Sequence, residues 1–520
     1  MLTDLIGGLR ETDDRPAIAG RATRGELAVL THGYAVALRS VGLSAGDTVG
    51  LAVRPGARSL ATMLAAYHLG LRIAVLDPTA GPDVLEARLA LAAPRLILAD
   101  ATAQAVAGWL APLARRAHLA LPDLGTLAPV RTIGRRLPGS PPALRPMPGP
   151  PPAGYDGDGD AVVVFTSGTT SRPRAVVHTR SSLSAGMTAV RDLVRPAPGV
   201  PVLGGTFFVL LPSLASGAPV ALPSRRALGR QIRSLRPQAI YLTPPQLRAA
   251  LAARVRFTGR VYSGSAPVSA ALLRAVRAAG ADEAWGVYAL TEVFPAAAVE
   301  SAAKSAFTGP GDLVGELLPG VRAEVGAGGE LLLSGPTAAS RYLGEEPFDQ
   351  VATGDLARLE NGRVILGGRL KDMILRQAEN IYPGLYEPSL HVPGVELALL
   401  VGVPATDGNE RVMGVPRADG DERAAGVPPA DGNERVVAVP RADRDERAAG
   451  VPPAEGDERV VAVIQPAAGA SEAAIRAALR EPLSRMGAAR PDAVIFAQIP
   501  LAGRSRKPDR AATARLAATA

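Results

Sequence analysis

The apolar positions of the chain follow two periods. Apolar residues recur at helical spacing in seven segments: 24–41, 60–69, 84–92, 181–194, 245–253, 269–279 and 471–483. Short continuous apolar runs predict buried strands in nine others: 71–76, 96–98, 162–165, 175–177, 237–242, 260–263, 283–288, 395–403 and 493–497. Because strands alternate with helices along the first half of the chain, the pattern predicts an α/β fold with mixed, mostly parallel sheets.

Other segments depart from this alternation. Residues 312–333 and 352–375 are β-rich, and Asn361-Gly362 is typical of a two-residue hairpin turn. The most apolar stretch, 202–222, is interrupted by glycine and proline, which favours strand, turn and strand in a core over a membrane-spanning helix. The proline-rich residues 138–152 predict an exposed linker within a larger domain.

Composition narrows the class of protein. A chain of 520 residues exceeds one ordinary core, so we expect two or more domains. The absence of cysteine excludes disulfides, thiolate nucleophiles and cysteine-ligated metals, and the five histidines show no paired metal spacing. The first residues turn acidic at 11–14 before a long apolar run forms, so we expect no signal peptide and a cytoplasmic enzyme.

The charge is basic, with a formal value of +8 and a pI of about 10.1. The arginines are scattered among alanine and proline, without a dense basic run interleaved with aromatic residues, so nucleic acid is not an expected partner. A basic surface instead favours anionic substrates such as nucleotides and coenzyme A.

One loop offers a site for such an anion. Between the strands predicted at 162–165 and 175–177 stand five small residues, four of them hydroxylated: Thr166, Ser167, Gly168, Thr169 and Thr170. Backbone N–H groups and hydroxyls of such a loop can donate to a polyphosphate, and Arg172 and Arg174 follow closely. Taken alone, such a segment favours a surface hairpin rich in turn formers over an anion site.

Residues 402–461 consist of five consecutive 12-residue units, each opening on Gly-Val-Pro or Ala-Val-Pro. The spacing of their acidic residues matches neither an EF-hand nor a nine-residue calcium β-helix. We interpret four of the five units as extra copies of one strand–turn segment, carried as a surface excursion.

Four separated motifs decide between the two interpretations of the loop at 166–170, an anion site and a surface hairpin. They are VFTSGTTSRPRAVV at 164–177, VYALTEV at 287–293, TGDL at 353–356 with GGRLKDMI at 367–374, and GRSRKPDR at 503–510. In this order they resemble the AMP-forming adenylating enzymes, the superfamily of acyl-CoA synthetases, luciferases and peptide-synthetase adenylation domains. The resemblance implies a large N-terminal domain at 1–368 with a β-rich subdomain, a hinge at 369–371, and a small mobile α+β domain at 372–520 that contains the repeats.

The resemblance also implies the nucleotide site. The β- and γ-phosphates of ATP would be held by the loop residues Thr166, Ser167, Gly168, Thr169 and Thr170, with Arg174 close behind them. The adenine slot would be lined by Gly264, Ser265, Ala266, Pro267 and Tyr288. Asp355 would accept both ribose hydroxyls, with Arg369 beside it.

Three further residues would carry the chemistry, which relies on positioning and on neutralising the triphosphate. Thr291 would contact the α-phosphate, Glu292 would bind Mg²⁺, and the Lys507 ammonium would bridge the substrate carboxylate and the α-phosphate. Lys371 aligns with the hinge about which the small domain rotates between adenylation and thiol transfer.

In this family the acyl pocket lies near 206–214 and the residues flanking Ala289, and both segments are apolar here. No aspartate offers itself for the ammonium group of an amino acid, so we expect a hydrophobic carboxylic acid that is passed to coenzyme A. Residues 289–315 also resemble the β-lactone synthetases of olefin biosynthesis, which close a β-hydroxy acid without coenzyme A. Departures from the family motifs leave an inactive nucleotide-binding protein as another alternative: Ser171, Arg174, Ala175, Ala289 and Arg506.

Overall fold

The structure is a computed structural model. It describes residues 1–76, 82–101, 104, 124, 128–134, 140–166, 174–224, 226–376, 379–404, 458–502 and 507–520. Half of the phosphate-loop motif, residues 167–173, and most of the tandem repeats lie outside these ranges.

The described residues contain twelve α-helices. These are α1 Leu2–Gly8, α2 Arg24–Ser40, α3 Ala57–His68, α4 Pro82–Ala92, α5 Arg180–Val194, α6 Phe207–Ala215, α7 Leu228–Leu235, α8 Pro244–Ala252, α9 Ala270–Ala278, α10 Ser301–Ala306, α11 Glu472–Ser484 and α12 Arg510–Thr519. None of these helices is long and apolar enough to cross a membrane.

The strands of the same ranges fall into two large and three small sheets. They are β1 Pro16–Ile18, β2 Ala22–Thr23, β3 Thr48–Ala52, β4 Arg72–Val75, β5 Leu96–Asp100, β6 Val130–Ile133, β7 Asp160–Phe165, β8 Ala175–Thr179, β9 Val202–Leu203, β10 Val220–Ala221, β11 Ala239–Tyr241, β12 Arg260–Ser263, β13 Glu283–Tyr288, β14 Ala297–Glu300, β15 Asp312–Leu317, β16 Arg322–Val325, β17 Glu330–Ser334, β18 Arg341–Tyr342, β19 Val351–Glu360, β20 Arg363–Arg369, β21 Ile374–Arg376, β22 Glu379–Ile381, β23 Val395–Pro404, β24 Glu458–Pro466, β25 Ala493–Phe496, β26 Leu501–Ala502 and β27 Lys507–Pro508.

A seven-stranded sheet has the order β18-β8-β7-β4-β3-β5-β6. Its strands from β7 to β6 pair in parallel, and β8 and β18 add two antiparallel strands at one edge. An ion-pair network ties three strands together, because Asp160 on β7 accepts from Arg72 on β4 at 2.9 Å and from Arg341 on β18 at 2.8 Å. The loop of the first sequence motif leaves the end of β7 and returns into β8.

A thirteen-stranded sheet combines two parts. In one part neighbouring strands are parallel, in the order β13-β12-β11-β9-β10-β1. In the other part neighbouring strands are antiparallel, in the order β13-β14-β15-β20-β19-β17-β16. The antiparallel part contains the predicted hairpin: Asn361 and Gly362 have φ of 50° and 76°, the left-handed pair that a type I′ turn requires. The α/β fold with a β-rich subdomain is thus confirmed.

The C-terminal residues form a separate three-stranded sheet, β23-β24-β25, against which α12 packs. The buried clusters of the described residues divide in the same way. Two clusters draw all their members from residue 374 onward, and the others draw theirs from residue 366 or earlier. The boundary expected at 369–371 falls between these groups and stays a prediction.

The tandem repeats connect two paired strands. Pro404 at the end of β23 pairs with Glu458 at the start of β24, so residues 405–457 begin and end at adjoining points of one hairpin. The first three residues of the 402–461 repeat array and its last four belong to these strands. The described ends of the array are therefore strand residues, and the interpretation of four units as extra copies of one strand–turn segment stays a prediction.

The prediction for 202–222 was wrong in one respect. The two strands form, as β9 and β10, but helix α6 lies between them. The run that forms α6 is apolar on every side and free of glycine, and periodicity cannot distinguish a buried helix from buried strands in such a run. Pro212 is tolerated inside this short helix, since it removes only a single backbone hydrogen bond.

Candidate active site

The described residues of the four motifs border one continuous cleft. Its volume is about 4490 Å³, several times that of a ligand pocket, which indicates a groove along the domain boundary rather than a single binding cavity. The lining includes Thr166, Arg174, Gly264, Ser265, Ala266, Pro267, Tyr288, Thr291, Glu292, Asp355, Arg369, Lys371 and Lys507. Ser167, Gly168, Thr169 and Thr170 lie outside the described residues.

The two ends of the cleft are named here for what the sequence predicts them to bind: the nucleoside end contains Asp355, and the phosphate end contains Thr291 and Glu292. The nucleoside end is built around Asp355. Asp355 on β19 is the register partner of Arg369 on β20, so the sheet itself brings them together. The Asp355 carboxylate is 3% exposed and accepts from Arg369 Nε and from the Tyr288 hydroxyl, both at 2.6 Å. These contacts hold the buried carboxylate in one orientation. Burial and the Asp355 charge raise the pKa of Tyr288 well above its ordinary value, so the phenol remains a donor.

The backbone around Asp355 is fixed as well. The Thr353 hydroxyl donates to the Leu331 carbonyl at 2.8 Å and accepts from the Asp355 N–H at 3.1 Å. Gly354 has φ of 69°, which favours glycine, and its N–H donates to a Glu330 carboxylate oxygen at 2.8 Å. The Thr-Gly-Asp motif is therefore a rigid turn within the sheet.

The adenine-side residues follow strand β12. A Cβ at Gly264 would lie 2.8 Å from the Val287 carbonyl oxygen, so a larger residue would displace the backbone there. Ser265 has φ of 68°, and its hydroxyl lies 2.9 Å from the Tyr241 hydroxyl. Burial raises the pKa of Tyr241. These contacts give the segment after β12 a fixed path along the cleft.

The phosphate end of the cleft is carried by the loop after β13. Glu292 Oε1 accepts from the Tyr342 hydroxyl at 2.9 Å, and the Glu292 carbonyl accepts from the Ala339 N–H at 2.7 Å. The Arg174 guanidinium lies 5.1 Å from the centre of the Tyr342 ring, within cation–π range. Burial and the Glu292 charge raise the pKa of Tyr342 to about 12. A carboxylate, a phenol and a guanidinium thus meet beside the loop that follows Thr166.

His178 supports the backbone of Thr291 at the phosphate end. Its Nε2 lies 2.8 Å from the Thr291 carbonyl oxygen, so it carries the proton that the carbonyl accepts. The ring packs edge-on against Phe294 at 5.1 Å and is fully buried. Burial lowers the pKa of His178 to about 4, although the hydrogen bond to Thr291 opposes this shift. His178 is therefore a neutral support for the Thr291 backbone.

Lys507 approaches the cleft from the C-terminal region. Desolvation in the cleft lowers its pKa, as do the positive charges of Arg369 and Lys371, whereas Asp355 acts in the opposite sense. The lysine of the last motif therefore lies within electrostatic range of the nucleoside end and of the expected hinge. Lys371 itself sits in the single turn Leu370–Asp372.

Arg510 anchors the segment that bears Lys507. Its Nη1 and Nη2 donate to Glu387 at 2.7 and 3.1 Å, and its Nε lies 3.2 Å from Asp372, the residue after Lys371. Glu387 and Asp372 raise the pKa of Arg510 against the opposing effect of burial. The guanidinium thus joins the start of α12 to the turn next to the hinge.

An apolar wall adjoins the phosphate end. Phe294 contacts Phe208 on α6 with 4.5 Å between ring centres. Val209 on α6 and Met187 on α5 line the cleft beside this pair. The wall begins two residues after Glu292, so an apolar group placed against it would have its polar end near Thr291 and Glu292.

Comparison with known proteins agrees with this geometry. Residues 9–343 match the family of AMP-binding enzymes. This chain belongs to that family. A feruloyl-CoA synthase from Amycolatopsis is 30% identical over 282 residues, which cover 48% of this chain and 57% of the relative's own length. A sulfoacetate–CoA ligase from Cupriavidus necator is 27% identical over 440 residues, covering 76% of this chain and 82% of that protein. The amide bond synthetase McbA from Marinactinospora thermotolerans shares the fold, with a TM-score of 0.74, 22% identity and coverage of 99% and 98%.

Enzymes of the AMP-binding family use ATP with Mg²⁺. Among the residues that the structure describes, no group of three histidine, aspartate or glutamate side chains could hold a metal ion. Mg²⁺ is commonly bound through one or two carboxylates together with substrate phosphates. Glu292, exposed to the cleft and oriented by Tyr342, fits that arrangement.

Several residues of this AMP-binding enzyme's site were missed from the sequence. Tyr342 lies in a short strand outside every motif, and only its pairing with β8 brings it to Glu292. His178 was considered only as a metal ligand, for which it lacks a partner. Arg510 stands within the last motif, and its position three residues after Lys507 was the available signal.

Proposed function

We propose that the protein uses ATP and Mg²⁺ to convert a hydrophobic carboxylic acid into an acyl adenylate and then transfers the acyl group to coenzyme A. The observation that supports this most is the meeting of Lys507 with Asp355 and Arg369 in the cleft that Thr291 and Glu292 also line. Residues from three distant parts of the chain thus border one cleft that is lined by both carboxylates and positively charged side chains.

In this proposal Asp355 accepts the ribose hydroxyls, and Tyr288 and Arg369 hold its carboxylate in position. Mg²⁺ bound at Glu292 would offset phosphate charge. Lys507 would neutralise charge as a carboxylate oxygen attacks the α-phosphorus and pyrophosphate leaves. The lowered pKa of Lys507 agrees with an ammonium held in a crowded positive site before an anionic substrate arrives.

The acid is proposed to be hydrophobic because Phe208, Phe294 and Met187 form the wall next to the reacting centre. The names of the relatives, a feruloyl-CoA synthase and a sulfoacetate–CoA ligase, support coenzyme A as the acceptor but differ in the acid. The arginine that replaces the usual phosphate-loop lysine supports activity, because Arg174 still brings a positive charge next to Tyr342 and Glu292.

An ATP–pyrophosphate exchange screen across fatty, aryl, hydroxy and amino acids tests the proposal. We expect exchange with fatty or aryl acids that depends on Mg²⁺, and formation of the acyl-CoA once coenzyme A is added. Exchange with amino acids alone would contradict the assigned substrate class. Tight ATP binding without exchange on any acid over hours would favour the inactive nucleotide-binding alternative.

A β-lactone synthetase is the second candidate, favoured by the sequence of residues 289–315. It shares the adenylation step and differs in the acceptor, which is the substrate's own β-hydroxyl. Product analysis with a β-hydroxy fatty acid separates the two. A lactone formed without coenzyme A supports the second candidate, and a thioester formed only with coenzyme A supports the first.

A further inference from the structure

Lys507, the lysine proposed to act in adenylation, stands on a very short strand. Lys507 and Pro508 form β27, which pairs with Leu501 and Ala502 of β26. A two-stranded hairpin is marginally stable at best, so two residue pairs do not by themselves hold an ammonium group at a fixed point. The position of Lys507 therefore depends on what holds the residues beside this hairpin.

The chain runs directly from Lys507 into helix α12. The Asp509 N–H donates to the Pro500 carbonyl at 2.8 Å, which continues the hairpin by one contact. The Asp509 carboxylate then accepts from the Ala512 N–H at 2.9 Å and caps the helix, whose first residue is Arg510. Because these contacts fix the backbone between Lys507 and Arg510, a group that holds the Arg510 side chain also limits the movement of Lys507.

One half of the Arg510 anchor lies within the C-terminal sheet. Glu387 accepts from both terminal nitrogens of the guanidinium, and its Oε1 also accepts from the Leu400 N–H of β23 at 2.8 Å. Arg510 Nη1 donates to the Leu400 carbonyl as well. These contacts tie α12 to β23 and account for a role of Arg510 in the stability of this region.

The other half of the anchor leaves that sheet. Arg510 Nε pairs with Asp372, which ends the single turn that contains Lys371, and in the described part of the chain no other cation pairs with Asp372. The same turn approaches the segment a second time, since the positive charge of Lys371 lowers the pKa of Lys507. The attraction between Asp372 and Arg510 therefore offsets the repulsion between Lys371 and Lys507.

We propose that Arg510 is a positioning residue for adenylation, which through its pairing with Asp372 holds the Lys507 ammonium beside the turn next to the hinge. This inference rests on the proposed adenylation. Arg510 makes no contact with the reacting atoms in this account and acts through Lys507. The planar fork of an arginine reaches both carboxylates at once, whereas a lysine at this position would be a point charge for one of them.

The test separates the two halves of the anchor. Asp372→Ala removes the pairing with the turn and leaves the contacts of Arg510 with Glu387 in place. Arg510→Lys keeps the positive charge and removes the fork. The double variant is made as well, because two substitutions that remove one pairing should not add.

The chain offers a matched control in Asp492→Ala. Asp492 pairs with Arg376 at 2.5 Å, in the same C-terminal region, and neither residue borders the cleft. The side chains of Arg376 and Asp492 are 24% and 31% exposed, against 23% and 24% for Arg510 and Asp372. The control thus removes an equally buried ion pair that is not connected to Lys507.

Three quantities are measured for each variant: the kcat of ATP–pyrophosphate exchange, the KM for ATP, and the rate of backbone hydrogen exchange over residues 507–514. We expect Asp372→Ala and Arg510→Lys to lower kcat at least tenfold and to keep KM within twofold, because Lys507 is proposed to act mainly in the transition state. The double variant should lose no more than Arg510→Lys alone. Hydrogen exchange over 507–514 should be faster in Asp372→Ala and unchanged in the control, whose kcat should stay within twofold.

An unchanged kcat in Asp372→Ala would overturn the inference, and so would additive losses in the double variant. A rise in the KM for ATP with kcat unchanged would also overturn it, since Asp372 would then act through Arg369, whose pKa it raises. An equal loss in Asp492→Ala would show a general effect on stability instead of positioning.

Two further results keep the inference separate from its basis. If the unmodified protein exchanges with no acid, the proposed adenylation fails, and hydrogen exchange over 507–514 still decides whether Asp372 holds this segment. If Arg510→Lys does not fold, Asp372→Ala and its control decide alone, because that variant keeps the contacts of Arg510 with Glu387.

Discussion

The two ends of the nucleotide cleft are built differently. At the nucleoside end, Asp355 is fixed by a strand register, a glycine turn and two short hydrogen bonds. At the phosphate end, Glu292 stands in a loop and depends on single contacts from Tyr342 and from the Ala339 N–H. The difference agrees with the task proposed for each end: the nucleoside would be held unchanged, whereas the phosphates would move as pyrophosphate leaves.

The largest effect is expected at Lys507, the positive charge that the C-terminal region supplies to the cleft. Lys507→Ala should lower ATP–pyrophosphate exchange by about 1,000-fold, or about 4 kcal/mol, because the ammonium is proposed to act mainly in the transition state. The KM for ATP should change little. Lys371→Ala is the control: it should keep exchange within threefold and slow transfer to coenzyme A. Exchange that survives Lys507→Ala would remove the lysine from the mechanism.

Substitutions at the nucleoside end should mainly change the KM for ATP. Asp355→Asn removes the charged acceptor and leaves Arg369 without its partner, which should raise the KM for ATP by roughly 10- to 100-fold, about 1.5–3 kcal/mol. Arg369→Gln should cost less, since the Arg369 side chain is 46% exposed and Asp355 keeps the Tyr288 hydrogen bond. An unchanged KM in Asp355→Asn, with exchange measured on the same acid, would place the ribose elsewhere.

The phosphate end should be sensitive to acid through His178. Its pKa is about 4 in the folded protein and 6.5 ordinarily, so the unfolded chain binds the extra proton first as the pH falls below 6.5. This should cost about 2 kcal/mol of stability between pH 7.5 and pH 5, with no further loss below pH 4. The thermal midpoints of the protein and of His178→Gln should converge over this range. Parallel curves would contradict the buried neutral histidine.

The smallest effect is expected from removing the hydrogen bond that the Tyr342 hydroxyl donates to Glu292. Tyr342→Phe removes one hydrogen bond and keeps the ring for Arg174, which should weaken the apparent Mg²⁺ affinity in the exchange assay by roughly fivefold, about 1 kcal/mol. Phe348 packs edge-on against Tyr342 at 4.9 Å, so Phe348→Leu reports the effect of disturbing the ring without removing the hydroxyl. If both variants require the same Mg²⁺ concentration as the unmodified protein, Tyr342 does not orient the metal ligand.

The nucleoside end was the easier one to predict from the sequence. Asn361-Gly362 fixes the hairpin, and a one-residue register shift between Leu356 and Ala357 then brings Asp355 opposite Arg369. Local turn chemistry therefore predicts the hairpin, whereas the pairing of Asp355 with Arg369 also needs the irregularity inside it. The strands Arg260–Ser263 and Glu283–Tyr288 likewise have the predicted bounds.

The phosphate end depends on pairing between distant parts of the chain. Tyr342 reaches Glu292 only because β18 pairs with β8, and His178 reaches Thr291 from 113 positions away. No local pattern encodes either contact. Helix α6 was missed for a different reason, since a run that is apolar on every side has no period to read.

The most direct test of the account is a crystal structure with a non-hydrolysable acyl-adenylate analogue. We expect the ribose hydroxyls on Asp355, the phosphate mimic between Thr291 and Lys507, and the acyl chain against Phe208 and Phe294. An analogue bound away from Asp355, or one that leaves Lys507 on a different face from Thr291, would contradict the proposal that these residues serve one reaction.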